Sequence, residues 1–283
     1  MPLSESTGGG IKKKTEARIE LPSLSVLIIT ANEEHNIRRC LESVKWADEI
    51  IIVDAESQDR TVEIARQFTD RVFVRAWQGY TASKNFGIQQ ASGEWLLWVD
   101  ADEEITPELA EEIRTVLAAP VVDGFLLPRQ AYFLGRWIRH GGWYPGFVLR
   151  LIRRNLARFS DKSVHESLLL PKQVKKLNHP ILHFTDPSIH HYFTKLNRYT
   201  SLAAADLWQQ GKRFHFIDLV IRPIHLTLKM YLFKAGFLDG FQGFLLALFS
   251  GVYVVVKYAK LWEIQNRPSE KLGQLAENHV TRI

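Results

Sequence analysis

The sequence predicts an α/β fold: a mostly parallel sheet flanked by helices, followed by a helical C-terminal extension. Three observations carry that expectation. Between Leu24 and Asp100, short continuous apolar runs alternate with segments of helical spacing. Such runs are the pattern of strands buried on both faces, and this alternation gives right-handed crossovers. Polar residues then gather just after the first, second and fourth runs, in TANEE, DAESQD and DADEE. Ligands of open parallel sheets bind beyond the carboxyl ends of the strands, which is where these residues fall. The regular alternation stops near residue 120.

Taken in order, LSVLIIT (Leu24–Thr30) is the first strand. NIRRCLESV (Asn36–Val44) sets Ile37, Cys40, Leu41 and Val44 on one helical face, so Cys40 reads as a small core residue. EIIIVDAES (Glu49–Ser57) carries the second strand and TVEIARQF (Thr61–Phe68) the second helix. RVFVRAW is the third strand, TASKNFGIQQA (Thr81–Ala91) the third helix and EWLLWVD the fourth strand. Beyond residue 120 the chain is rich in aromatics, glycine and arginine, with hairpin-like pieces.

From Ile217 the character changes again. IDLVIRPIHLTLKMYLF places Arg222, His225 and Lys229 on one helical face against a broad apolar remainder. GFQGFLLALFSGVYVVV (Gly240–Val256) has 17 residues without a charge, bracketed by Asp239 and Lys257. Crossing a bilayer takes about 20 residues. The run therefore fits an interfacial or re-entrant anchor better than a full crossing. The alternative is a buried helix of a small C-terminal subdomain.

The stretch EWLLWVDADEEITPEL crowds Asp100, Asp102, Glu103 and Glu104 behind a buried strand. Thr106 and Pro107 supply an N-cap and a first helical position, which accounts for Glu108 near a helix start. Asp100 and Asp102 precede that cap. Strand alternation would send both carboxylates the same way, as two hard oxygen donors of a Mg²⁺ or Mn²⁺ site that nucleotide phosphates complete. Neither G-x-G-x-x-G nor G-x-x-x-x-G-K-[ST] follows the first strand, which argues against dinucleotide binding and a P-loop.

The 283 residues are 46% hydrophobic, enough for a substantial core, and the net charge of +5 favours anionic partners. Cys40 is the sole cysteine, so no internal disulfide forms and a reducing compartment fits. The opening MPLSESTGGGIKKKTEARIE is polar and lacks the apolar segment of a signal peptide. It reads as a flexible lead-in, with the catalytic part on the cytoplasmic side.

LSVLIITANEE, IIIVDAESQDRTVEIA, KNFGIQQASGEWLLWVDADEEITPEL and the later VHE together resemble a family 2 glycosyltransferase of the GT-A fold. The likeness is closest to the lipopolysaccharide inner-core glucosyltransferase subgroup and extends over residues 22–200. YLFKAGFLDGFQGF resembles the membrane-associated tail of that subgroup. The resemblance implies a Rossmann-like sheet and four regions: a lead-in (1–21), a nucleotide-sugar-binding half (22–120), an acceptor-binding half (121–200) and a helical, membrane-associated region (201–283). Thr30, Asn32 and Glu33 would line the nucleoside pocket, with Asp54 reaching the base. Lys84 would neutralise donor charge, Asp100 would sit by the ribose and metal, and Asp102 would ligate a Mg²⁺ or Mn²⁺ ion bridging the diphosphate. Structural alternatives stand beside these roles. Asp54 could cap a turn, Asn32 could start the following helix, and Lys84 could be a solvated helix residue.

An inverting transfer needs a base for the acceptor hydroxyl. SVHESLLL offers Glu166, with His165 orienting the acceptor or joining the metal shell; a salt bridge is the competing role for Glu166. His183 in ILHFTD is a weaker candidate for a metal or phosphate contact. The basic group Arg150, Arg153, Arg154, Arg158 and Lys162 suggests docking of an anionic acceptor, or else a solvated face. Trp137, Trp143 and Tyr144, in a Gly-rich loop, offer an aromatic platform for a sugar face, with GGWYPG as a lid, or anchor that subdomain. VDAES stands where many relatives have V-D-D-G-S, so Ala55 and Glu56 depart from the pattern at the nucleoside pocket; the Q-x-x-R-W signature of processive synthases is not present, so one sugar per acceptor is expected.

The expected activity is an inverting, metal-dependent transfer from a UDP-linked nucleotide sugar to a lipid-linked or lipopolysaccharide-like acceptor. The expected site is the cytoplasmic face of a bacterial inner membrane. The rivals are a polyprenyl-phosphate glycosyltransferase, a nucleotidyltransferase and a non-catalytic membrane scaffold. Nucleic acid is not an expected partner, because the basic residues do not form a separate recognition helix.

Overall fold

The computed structural model describes residues 22–159, 171 and 173–266. Four strands, β1 (Leu24–Thr30), β2 (Glu49–Asp54), β3 (Val72–Val74) and β4 (Trp95–Asp100), run parallel in the order β3-β2-β1-β4. Between them lie α1 (Ile37–Val44), α2 (Thr61–Ala65) and α3 (Tyr80–Gln90). The second helix is shorter than its sequence pattern. Past Ala65 the chain tightens, with Gln67 and Phe68 amides donating three residues back to Ile64 and Ala65.

The strand periodicity of two divides the core. Val26, Ile28, Trp95, Leu97 and Val99 face α1, while Leu27, Ile51, Val53 and Leu96 fill the opposite face beside Phe86 and Ile88 of α3. Helix α3 lies close on that second face, because a Cβ at Gly87 would overlap the Leu27 side chain.

Beyond β4 the sheet becomes mixed. A short β5 (Glu103–Ile105) leads into α4 (Pro107–Ala118), capped as expected by Thr106 Oγ1 accepting from the Leu109 amide at 3.1 Å. β6 (Gly124–Phe133) turns through Leu134 and Gly135 into β7 (Arg136–Trp137), and β8 (Gly146–Arg153) runs antiparallel to both β4 and β6. β9 (Val174–Lys176) and β10 (Ile181–Asp186) pair parallel with β6. The path ends β4-β8-β6-β10-β5. Only two residues separate β4 from β5, so the far end of the sheet curls back to its middle. A chain that short cannot span four strands laid flat.

Three long helices follow: α5 (Ile189–Gln209), α6 (Phe216–Leu228) and α7 (Gly240–Asn266). A π-helical turn over Lys229–Phe233 and a 3-10 turn over Gly236–Asp239 join α6 to α7. α7 buries Gly243, Leu246, Ala247, Gly251, Val254, Tyr258 and Leu261 on one face. A Cβ at Gly251 would overlap Thr227 Oγ1, so this glycine sets how closely α6 approaches. Phe133, Ile138, Met230, Leu246 and Ala247 form the cluster that fastens this helical region to the sheet. Arg222, His225 and Lys229 are exposed, and so is much of the apolar surface beside them: Phe216, Ile217, Ile221, Ile224 and Leu228.

Candidate active site

The site lies beyond the carboxyl ends of β1, β2 and β4, with β10 closing its other side. The first two loops are stitched to each other. The Asn32 amide donates to Ser57 Oγ at 2.8 Å, and Asn32 Oδ1 accepts from the Gln58 amide at 2.8 Å. The Glu33 amide donates to Thr61 Oγ1 at 2.8 Å and the Glu34 amide to Asp59 Oδ2 at 3.0 Å. Asn32 (φ 55°) and Glu56 (φ 54°) occupy the left-handed region that lets both loops turn this sharply. Asp54 is buried and caps the second loop, accepting from the Ser57 amide at 2.9 Å and from Ser57 Oγ at 2.5 Å. Asp54 thus makes the turn cap that was its alternative to ligand binding, whereas Asn32 ties the two loops together and does not start α1, whose N-cap is Asn36. Thr30 is buried at the end of β1, and its Oγ1 has no partner among the described residues.

Three of the crowded acids face an arginine. Arg150, on β8 beside β4, donates through Nη2 to Asp100 Oδ2 at 2.5 Å and to Glu103 Oε1 at 2.6 Å. Glu103 is fully buried and its Oε2 also accepts the Asp100 amide at 3.0 Å. Burial works against the charge of Asp100, but the Arg150 guanidinium outweighs it and holds that carboxyl below its usual range. Burial dominates at Glu103 and pushes its carboxyl up. Glu104 faces Arg39 at 3.6 Å.

Asp102 takes a different partner. The strand ends at Asp100, and Ala101–Asp102 form a turn, so strand alternation does not govern the second carboxylate. Asp102 Oδ2 lies 3.2 Å from His183 Nε2, and the Phe184 amide donates to the Asp102 carbonyl at 2.9 Å. His183 is opposite Glu103 in the β10–β5 register, which is how β10 reaches the acids. Its Nδ1 is buried without a partner among the described residues. Glu33 borders the same space. Its carboxyl is pushed up, first by burial and then by the Asp102 charge, against the Asn36 amide that donates to it at 2.8 Å.

Lys84 projects from α3 over the rings of Trp98 and Phe159, 4.8 Å from each centroid, and its charge lowers the Asp100 carboxyl. It is held by aromatic faces rather than freely solvated.

Three expectations for the acceptor side change. Arg150 is 5% exposed and engaged by two carboxylates, so it has no surface to offer an acceptor. Arg153 pairs with Trp95 at the opposite end of β4, where it faces Asp123 at 3.4 Å, a full strand length from Asp100. Trp143 packs on the cluster that fastens the helices to the sheet, and Tyr144 meets Trp137 edge-on at 5.3 Å. Their loop is pinned rather than free as a lid, with the Gly141 amide donating to the Lys234 carbonyl at 2.9 Å. Glu166, His165 and Lys162 lie outside the described residues.

The sequence did not single out Glu103 as the buried anchor of Arg150. Nor did it bring forward the group around Asp186, whose Oδ1 lies 3.4 Å from His191 Nδ1 and 3.6 Å from Lys195 Nζ. Acids stacked behind an apolar strand were the only signal for the first. Nothing short of the β10–β6 pairing signals the second.

Parallel strands ending in polar loops, a mixed second half and an acid-bearing turn define a fold of the GT-A type. Residues 25–161 match glycosyl transferase family 2. An uncharacterized glycosyltransferase of Rickettsia typhi is 33% identical over 261 residues, covering 86% of this chain and 88% of the relative. The lipopolysaccharide core biosynthesis glycosyltransferase LpsC of Rhizobium meliloti is 31% identical over 253 residues, covering 85% and 92%. The mannosyltransferase PcManGT of Pyrobaculum calidifontis, solved with GDP-Man and Mn²⁺, aligns with a TM-score of 0.50 at 13% identity over 87% of this chain and 89% of that one. The chain belongs to glycosyl transferase family 2 and is a glycosyltransferase.

Proposed function

We propose that this glycosyltransferase moves one sugar, with inversion, from a UDP-linked donor to a glycolipid acceptor at the cytoplasmic face of a bacterial inner membrane. The observation that carries the reading is the Asp102–His183 pair, 3.2 Å apart at the mouth of two loops stitched into a rigid cradle. A preorganised cradle loses little entropy on binding a nucleotide.

The donor set suits a divalent ion. A carboxylate oxygen and an imidazole nitrogen converge, a combination that Mn²⁺ accepts and Mg²⁺ tolerates with more oxygen ligands. Among the described residues no third His, Cys, Asp or Glu completes a cluster, so Asp102 and His183 would hold the ion and its other ligands would have to come from the bound nucleotide and solvent. Asp100 is the poorer ligand, because Arg150 already neutralises it. When bound, the ion supplies Lewis acidity to the departing nucleoside diphosphate. Lys84 adds positive charge on the α3 side, and Thr30 and Glu33 border the nucleoside. Glu166 takes the acceptor hydroxyl proton, with His165 beside it.

Residues 22–120 form the donor half, 121–200 the acceptor half and 201–283 the membrane-associated region. LpsC, named for lipopolysaccharide core biosynthesis, supports the acceptor class. The membrane reading is supported by the 3-10 turn and α7 together, a helical run over Gly236–Asn266 that among the described residues is long and apolar enough to cross a bilayer by length and composition. Phe233 (83% exposed) and Phe241 (68% exposed) stand at its entry. Since one face of α7 packs on protein, the geometry favours entry into one leaflet over a crossing.

Calorimetric titration of UDP, with Mn²⁺ or with EDTA, tests the donor site in wild type and Asp102→Ala. Micromolar binding that needs both the ion and Asp102 is expected. Failure of UDP while GDP binds would reassign the nucleotide; metal-independent binding, or none, would overturn the reading.

A further inference from the structure

The basic residues that the sequence offers for an anionic partner are largely engaged. Arg150 serves two carboxylates, Arg153 faces Asp123, and Arg154 donates to the Gly93 carbonyl at 2.7 Å. Two other arginines are differently placed. Arg136 and Arg139 flank Trp137 on the β6–β7 hairpin, are exposed, and have no carboxylate partner among the described residues. With Trp137, His140, Leu238 and Asp239 they line a concavity of about 410 Å³.

The acid in that concavity makes no ion pair with either arginine. Asp239 is buried, and its carboxylate is filled by the His140 amide at 2.8 Å, His140 Nδ1 at 3.0 Å and the Arg139 amide at 3.3 Å. It fixes the loop and leaves both guanidiniums facing outward. The Arg139 guanidinium stacks on the Trp137 ring at 4.0 Å, which limits its rotamers before any ligand arrives. A guanidinium fork matches phosphate oxygens bidentately, and its weak hydration suits the edge of an apolar surface.

That apolar surface is continuous with the concavity. Leu238 lines it and is itself exposed, next to exposed Phe237 and Phe241 at the α6–α7 joint. The hairpin also sits at the working edge of the sheet. Arg136 pairs with Phe133, and Phe133 is matched to Asp186 at the carboxyl end of β10, three residues past His183.

We propose that this concavity binds the phosphate of a membrane lipid headgroup, while the adjoining apolar joint enters the leaflet. The proposal rests on the membrane reading above and adds a specific site to it. Charge complementarity and continuity with the apolar joint identify the occupant as a phospholipid and not a soluble phosphate. Held this way, the mouth of the donor site lies beside the headgroup layer, where a lipid-linked acceptor presents its sugar.

The test is co-sedimentation of the full chain with vesicles of phosphatidylcholine alone, with added phosphatidic acid, or with added oleate at equal surface charge. Wild type is expected to prefer phosphatidic acid over both others. Arg136→Gln/Arg139→Gln should lower partitioning onto phosphatidic acid vesicles by about ten- to thirty-fold, two cations being lost from the surface. Arg136→Lys/Arg139→Lys keeps the charge and loses the fork, so it should retain attraction to both anionic vesicles but lose the preference between them. Equal binding of wild type to phosphatidic acid and oleate would overturn the site. So would a lysine variant that keeps the preference, or glycerol phosphate displacing the protein at millimolar concentration. Phe233→Ser/Phe241→Ser separates the two levels: if it leaves binding to every vesicle unchanged, or wild type binds none, the membrane reading itself fails.

Discussion

Arg150 and Glu103, 47 positions apart, form a 2.6 Å ion pair in which the arginine is 5% exposed and the glutamate fully buried. The same guanidinium holds Asp100, so one cation from β8 fixes the end of β4 and the start of β5. The turn that carries Asp102 hangs between those two fixed points.

Arg150→Met should therefore be costly. It strands two carboxylates, one of them without access to water, and a loss of about 3–5 kcal/mol is expected. Urea unfolding measures it, and adding Glu103→Leu should recover part of the loss. An unchanged midpoint for Arg150→Met would show that the pair does not hold the turn.

His183→Ala removes the nitrogen facing Asp102. UDP affinity in Mn²⁺ should fall about ten- to a hundredfold, as it does when groups that orient metal ligands are removed. The weak residual affinity in EDTA should not move. An equal fall in both conditions would make His183 a packing residue.

Glu166→Gln addresses the acceptor. A base acting on a sugar hydroxyl contributes about 10²–10⁴ in rate. A loss of that size in kcat with little change in UDP binding is expected. Near-normal turnover on polyprenyl phosphate, already an anion, would favour the lipid-phosphate rival.

Glu112 gives a pH signature away from the site. From α4 it accepts the Asn178 and His179 amides, both at 2.9 Å, clamping the turn before β10. Burial raises its carboxyl, but these hydrogen bonds outweigh burial and set it below the usual 4.5. With its folded value lower than its unfolded one, the stabilisation is complete above 4.5 and disappears as pH falls through the folded value. Glu112→Gln should cost about 1–2 kcal/mol at neutral pH. The gap between the two proteins should close below pH 4.5 in thermal melts across pH. A gap that stays constant into acid would assign the loss to shape, not charge.

Local pattern was sufficient for the first hundred residues. β1, β2 and β4 are apolar runs whose pleat buries both faces, and Thr106–Pro107 starts a helix by chemistry contained within a single turn. The placing of polar loops at the strand ends follows from parallel topology alone, so the position of Asp100 and Asp102 at the carboxyl end of β4 was legible. Partner choice was not. Arg150 read as a surface cation because nothing near it in sequence shows that β8 runs antiparallel beside β4. The same antiparallel register sends Arg153 to the far end of that strand. The pinning of Trp143 likewise depends on Lys234 and Asp239, about a hundred residues away.

The sequence by itself determined the parallel half of the sheet, the acid-bearing turn and the apolar C-terminal helix, since periodicity, capping and composition act within a few residues. Tertiary structure alone decided which acids are held by arginine and which arginines, among the described residues, remain without a carboxylate. Those outcomes depend on desolvation and on distances of a few ångströms between strands that only the curled sheet brings together.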